Sequence, residues 1–268
     1  MSAPSPSHAS STGLAQRLLL FVLLGVLASL LVPALDDLRS QARASRCINN
    51  LRLIGACIHA FAADNNGMVV PYRGQPTNPN SPSQGLLWLE YLMPYFPQGS
   101  LNIDGKLPSL PSGADYRKDE RFFYVCPDSP VPVQWRAWGN YALHPVIMKA
   151  SNNTPPNFPL SRIVRPAQVI LIADGSVTTG TDLRGGSSDD GSGQFFNRTY
   201  PYTTEALNIL HAPVAAESIN SNTDGTTGWI RYRHQGWANC LHADGHVRAY
   251  AYADRAKEMT FARFVSNR

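Results

Sequence analysis

The chain has 268 residues, room for an anchor segment and one large domain, with 43% hydrophobic residues, 20 Gly, 21 Pro and a formal net charge of +4. That mild balance, with no dense Lys/Arg stripe interleaved with aromatics, argues against nucleic acid as a partner. The four cysteines, Cys47, Cys57, Cys126 and Cys240, include no C-x-x-C pair, so there is no zinc-knuckle signature.

Residues 18–35 read LLLFVLLGVLASLLVPAL, without a charge, between Arg17 and the pair Asp36 and Asp37. A membrane helix needs roughly 17–25 apolar residues, so this run is long enough to span. A cleaved secretory signal is the rival, but its apolar region is shorter and ends at a small-x-small site, whereas this run continues into a helical pattern. Beyond Pro33, apolar residues recur at helical steps of three to four, with one gap of six after Ala42, at Leu35, Leu38, Ala42, Ile48, Leu51, Ile54, Ile58 and Phe61. The stripe stops at Asp64, Asn65, Asn66 and Gly67, where Asn and Gly can take the left-handed conformation that closes a helix. A helix over residues 14–65 would be roughly 75–80 Å long, far more than a bilayer needs, so its second half requires a protein partner.

The predicted organisation is a cytoplasmic leader-like segment at 1–13, a transmembrane helix at 14–35, an amphipathic continuation at 36–66 and an extracytoplasmic head at 67–268. Arg39, Arg43 and Arg46 follow the span closely and would favour a cytoplasmic head. They lie on a helix expected to dock into protein, and long domains translocate largely regardless of charge.

In the head, residues 84–96 (QGLLWLEYLMPYF) have helical spacing, with Leu87, Tyr91 and Leu92 facing inward. Strands are predicted at 121–126, 168–174 and 229–233, and a hairpin pairs 238–242 with 246–252 across Asp244 and Gly245. Residues 97–118, 152–159, 180–194 and 220–228 read as loops. The fold class is α+β, with an antiparallel sheet covering the apolar stripe of the long helix.

Three constellations could carry chemistry. His234, His242, Asp244 and His246 are the densest set of metal-ligand types. Against that, Asp244 and Gly245 supply turn geometry, and His234 hydrogen-bonds the turn or the strand end. Asp174 in an Asp-Gly-Ser stretch, with Asp182, Asp189 and Asp190, offers oxygens to Ca²⁺, although the spacing is not that of an EF-hand loop and a solvated turn explains it equally. Cys47 with Cys126 is the favoured pair if a disulfide forms, because Cys57 and Cys240 sit in core-like patterns; the alternative is four buried thiols. Cys126 has no partner in the local sequence that would mark it as a nucleophile, and neither a G-x-S-x-G elbow nor a phosphate loop occurs.

Four segments together resemble a known family. They are SRCINNLRLIGACIHAFAADNNGMVVP at 45–71, YVCPD at 124–128, PAQVILIADGS at 166–176 and RHQGWANCLHADGHV at 233–247, in which nine residues separate His234 from Asp244 and Gly245. The set is similar to the prepilin-like proteins, or pseudopilins, of type II secretion and type IV pili, in the large planctomycete-type group with a C-terminal H-x9-D-G motif. The resemblance implies a pilin-like spine helix, first a membrane anchor and then a packing element in a filament, under a small α+β head. It also implies secretion pseudopilins' use of a loop-bound Ca²⁺.

The processing region departs from the pattern. Ser11 stands where the peptidase expects Gly, and Gln16 where it expects the Glu that neutralises a neighbouring subunit's amine inside the membrane. Gly13 followed by Leu14 is the nearby Gly-hydrophobic step. The expectation is a non-enzymatic pilin-like subunit whose partners are other pilin-like subunits or secretion machinery and membrane lipid. The alternative is a membrane-anchored binding protein or metallohydrolase using the C-terminal His/Asp cluster.

Overall fold

A computed structural model of the chain describes residues 12–71, 73–76, 85–97, 123–128, 141–144, 147–148, 158–175 and 230–254. The long apolar and then amphipathic pattern forms one helix, α1, over Thr12–Asp64, with Pro33 inside it. It ends where the Asn and Gly residues were expected to end it. Asn66 and Gly67 take φ of 54° and 76°, and the Gly67 N–H donates to the Ala62 carbonyl at 2.7 Å.

The chain divides into two units, Met1–Ala42 and Arg43–Arg268. In the first, α1 presents its large apolar side chains outward: Phe21 is 72% exposed, and Leu18, Leu24, Leu30 and Val32 are likewise exposed. This helix is long and apolar enough to serve as a single membrane span or a signal segment. In the second unit the stripe turns inward. Cys47, Leu51, Ile54, Ile58 and Phe61 are buried in one cluster with Trp88, Leu89, Tyr124, Leu171, Ile172 and Leu241. Gly55 permits a close approach, since a Cβ there would lie 2.8 Å from Leu241 Cδ1.

Two antiparallel sheets occur among the described residues. A small one pairs β1 (Arg73–Pro76) with β2 (Gly85–Leu87). The larger runs in the order β3 (Tyr141–Leu143), β4 (Ile170–Asp174), β5 (Trp237–His242), β6 (Val247–Ala251). All neighbours in it are antiparallel, with Ala142 opposite Ala173, Ala173 opposite Cys240, and Leu241 opposite Val247. Strand β4 is buried along its whole length, which explains why ILIAD is a continuous apolar run rather than an alternating one.

Several predicted elements differ. The helix expected at 84–96 is β2 followed by a five-residue helix, α2 (Trp88–Leu92), and a 3₁₀ turn, because Pro94 has no N–H to continue the helix. Phe123–Cys126, expected as part of a strand, is a turn and bend leading into Pro127, a residue that cannot donate to a ladder. Of the strand expected at 229–233, residues 230–233 are described, and they make one bridge, between Gly175 and Ile230. The loops predicted at 180–194 and 220–228, and with them Asp182, Asp189 and Asp190, lie outside the described residues.

The β5–β6 hairpin is present, with a loop one residue longer than a bare Asp-Gly turn. Gly245 N–H donates to His242 O at 2.9 Å and His242 N–H to His246 O at 2.8 Å, which leaves Ala243, Asp244 and Gly245 as a three-residue connection. Gly245 sits at φ 92°, and a Cβ there would also meet His59 Nε2 at 3.4 Å. Gly245→Ala is therefore expected to cost about 1–3 kcal/mol of head stability, read by thermal or chemical unfolding.

Candidate metal centre

Four segments distant in sequence deliver one side chain each to a single buried point. Cys47 comes from the first inward-facing turn of α1. Cys126 comes from the turn at 123–128, held to α1 by Asn50 Nδ2 donating to Val125 O at 3.3 Å. Asp174 is the last residue of β4. His234 sits just before β5 in a tight hairpin: His234 and Trp237 exchange both backbone hydrogen bonds at 3.1 Å. Between them Gln235 and Gly236 take φ of 54° and 86°, the signature of a two-residue type I′ turn. Each of the four residues offers a ligand atom, all four atoms lie within 4.8 Å of one another, and all four residues are buried.

The contacts within the quartet are short and directional. Cys126 Sγ lies 3.6 Å from His234 Nε2, and Nε2 lies 3.3 Å from Asp174 Oδ2. Cys47 Sγ donates to Asp174 Oδ1 at 3.2 Å and lies 3.7 Å from the Tyr141 hydroxyl. A second layer fixes the donors. His234 Nδ1 donates to Asp128 Oδ2 at 2.7 Å, and Arg43 Nε donates to the other oxygen of the same carboxylate. The Asn239 N–H donates to Asp174 Oδ2 at 2.7 Å. His234 therefore has Nδ1 committed to a carboxylate and Nε2 turned to the two sulfurs and Asp174.

Electrostatics follow from burial and these partners. Burial pushes the Cys47 thiol well up, and the neighbouring Cys126 and Asp174 add to it. Burial acts the same way on Cys126, but hydrogen bonds from Cys47 and His234 outweigh it and bring that thiol down to about 6. His234, which burial alone would lower, is pushed up to about 12 by its hydrogen bonds to Asp128, Asp174 and Cys126. Burial works to raise Asp128 too, yet His234 and Arg43 hold it below the ordinary carboxylate value.

The structure divides the residues singled out by sequence. His234 and Asp174 enter the quartet, whereas Asp244, His242 and His246 stay at the hairpin. There the His242 and His246 rings stack at 4.2 Å, Tyr250 Oη lies 3.0 Å from His242 Nε2, and His246 Nδ1 donates to Asp244 Oδ1 at 2.6 Å. His234 was expected to hydrogen-bond the Asp244 turn or the strand end from nine residues away; its backbone instead bonds Trp237, and its ring turns into the quartet. Cys47 and Cys126, the favoured disulfide pair, are brought together, and none of the four cysteines is joined in a disulfide. Cys57 and Cys240 are buried, as core residues should be. Cys126 has no partner in its local sequence, and the histidine beside it, His234, comes from 108 residues away. Asp128 was missed altogether; its spacing two residues after Cys126 in YVCPD was the available signal.

At the hairpin, burial works to raise the Asp244 carboxyl, and hydrogen bonds from His246 lower it below its ordinary value of 3.8. A depressed carboxylate stabilises the fold above its unfolded pKa, and that contribution is lost as pH falls through the folded value. Asp244→Asn is thus expected to cost under about 1 kcal/mol at about pH 5, after solvent screening. The difference from the natural chain should close on further acidification, which paired unfolding curves would show.

Residues 37–209 match the model SBP_bac_10, whose family is described as Protein of unknown function (DUF1559). The chain belongs to the DUF1559 family. No curated protein and no solved structure matches it. Three of the quartet, Cys47, Cys126 and Asp174, fall inside the DUF1559 match, and His234 follows it in the H-x9-D-G segment.

Proposed function

We propose that this DUF1559 protein is a membrane-anchored, pilin-like structural subunit, a pseudopilin of a type II secretion or type IV pilus-like assembly. Its head is held outside the inner membrane and its first helical segment mediates association with other pilin-like subunits. The observation that carries the reading is the change of role along α1. Apolar side chains from Leu18 to Leu38 face outward, and from Cys47 to Phe61 the same helix supplies one side of a domain core. A signal segment has no need of such a continuation, whereas a spine shared between membrane and head requires it.

The reading is non-enzymatic. The alternative of a binding protein or metallohydrolase needs a site that substrate can enter, with an open coordination position if a metal does the work. The quartet places four protein donors in a buried pocket, and the hairpin histidines are occupied by stacking and by Tyr250 and Asp244.

A photo-crosslinking residue at Leu24 of the full-length chain in its native membrane tests the assignment. The expected products are adducts with other pilin-like subunits or with a second copy, identified by mass spectrometry. Adducts with lipid alone would sink the assembly role and leave a simple anchor.

A further inference from the structure

We infer that Cys47, Cys126, Asp174 and His234 are the four ligands of a buried tetrahedral site for zinc. The argument is geometric first. Zinc bonds of about 2.3 Å to sulfur and about 2.0–2.2 Å to nitrogen and oxygen, at tetrahedral angles, set neighbouring donor atoms roughly 3.4–3.8 Å apart. Cys126 Sγ lies 3.6 Å from His234 Nε2, while Nε2 and Cys47 Sγ approach different oxygens of Asp174, Oδ2 at 3.3 Å and Oδ1 at 3.2 Å; one ligand atom from each of the four residues lies within 4.8 Å of the others, so small side-chain adjustments bring the set to zinc spacing. Four buried ligand-type side chains from four separate segments converge on one point, where an apolar core would be expected to place hydrophobic groups.

The second layer is that of a metal site. A ligating imidazole ordinarily donates its other N–H to a carboxylate, which fixes the tautomer and aims the free nitrogen. Asp128 does this for His234, and Arg43 in turn holds Asp128. The Asn239 N–H holds Asp174, and Tyr141 lies against Cys47.

The donor set selects the ion. Two sulfurs and an imidazole suit zinc and other soft or borderline metals, whereas Ca²⁺ and Mg²⁺ take oxygen donors. Asp174 thus serves a transition metal rather than the Ca²⁺ its Asp-Gly-Ser setting suggested. Binding requires both thiols as thiolates and His234 Nε2 without its proton, so any proton these three atoms carry leaves to solvent. The ion's two positive charges then offset two thiolates that burial would otherwise penalise. With four protein ligands the site is closed, so its work is to tie the start of the buried part of α1 to the Cys126 turn, the end of β4 and the entry to β5. The inference stands whether or not the chain is a pilin-like subunit.

The test uses the full-length chain, expressed with zinc, extracted in detergent and freed of loosely bound metal. Elemental analysis is expected to give one zinc per chain. Cobalt loaded in its place is expected to show thiolate charge-transfer and tetrahedral ligand-field bands. Cys126→Ser should lose both, and Cys57→Ser should keep both. Should Cys126→Ser fail to fold, Asp128→Asn keeps all four ligands and is expected to weaken zinc affinity about 10–100-fold in competition with a chromogenic chelator, with stoichiometry restored at saturation. Any of the following results overturns the site. One is a metal-free chain with reduced thiols, or one in which Cys126 is alkylated as readily as an exposed thiol. Another is a Cys47–Cys126 disulfide, seen as a mass lower by two hydrogens and a linked peptide pair. The last is an Asp128→Asn affinity equal to that of the natural chain.

Discussion

His234→Ala is expected to lower the unfolding midpoint of the head by about 6–20 °C. The imidazole joins Asp128, Asp174 and Cys126, and all three contacts are buried. Removing one member of such a network leaves its buried polar partners unsatisfied, a loss of about 3–5 kcal/mol. In a domain of this size each kcal/mol shifts the midpoint by about 2–4 °C. The measurement is thermal unfolding of the detergent-solubilised chain, with Cys57→Ser as a buried-thiol control outside the network. A drop of under about 2 °C would mean that the quartet contributes little to the fold. If zinc is bound, chelation of the natural chain should move the midpoint in the same direction, since an ion that binds only the folded state stabilises it.

The second large effect separates the two roles of α1. Leu51 and Ile58 are buried to 0% and 1% exposure, so Leu51→Arg would place an unpaired guanidinium in the core. The expected outcome is loss of the cooperative unfolding transition and rapid proteolysis of the head. Leu24→Arg changes a residue that is 59% exposed in the apolar segment. It is expected to leave the head's unfolding midpoint within about 1–2 °C, as for a surface substitution. Its cost falls on membrane integration, about 2.5–3.5 kcal/mol for Arg at the centre of a span. Fractionation and thermal unfolding of the two variants would show opposite patterns. Equal damage to the head from both would contradict the division of labour.

What could be read from the sequence tracks how local the determining physics is. The extent of α1 was legible because periodicity and the Asn-Asn-Gly stop are carried by adjacent residues. The β5–β6 hairpin was legible for the same reason, down to Asp244 and Gly245. The strands at 121–126 and 229–233 were over-read: apolar β-formers such as Phe123, Tyr124, Val125 and Ile230 are buried here without pairing along a full strand. The short β1 and β3 carry too few residues for alternation to register.

The quartet was legible only in fragments. Cys47 and Cys126 were paired on paper and do meet, but His234 was assigned to the hairpin it precedes in sequence. The lack of a C-x-x-C excludes only a zinc knuckle, whose ligands share a turn. Here each ligand comes from a different element, so only the packing of α1 on β4 and β5 brings the donors together. Asp128 went unnoticed because its role depends on a histidine 106 residues away.

The central claim is that one helix serves the membrane with its first half and the head's core with its second. Intact-mass measurement of the chain extracted from membranes tests it most directly. The expected species is membrane-retained, begins at Met1, or at Leu14 if the Gly13 step is processed, and carries the whole of α1 beyond Leu14. A mature chain that begins after Leu35 and is released without detergent would contradict it.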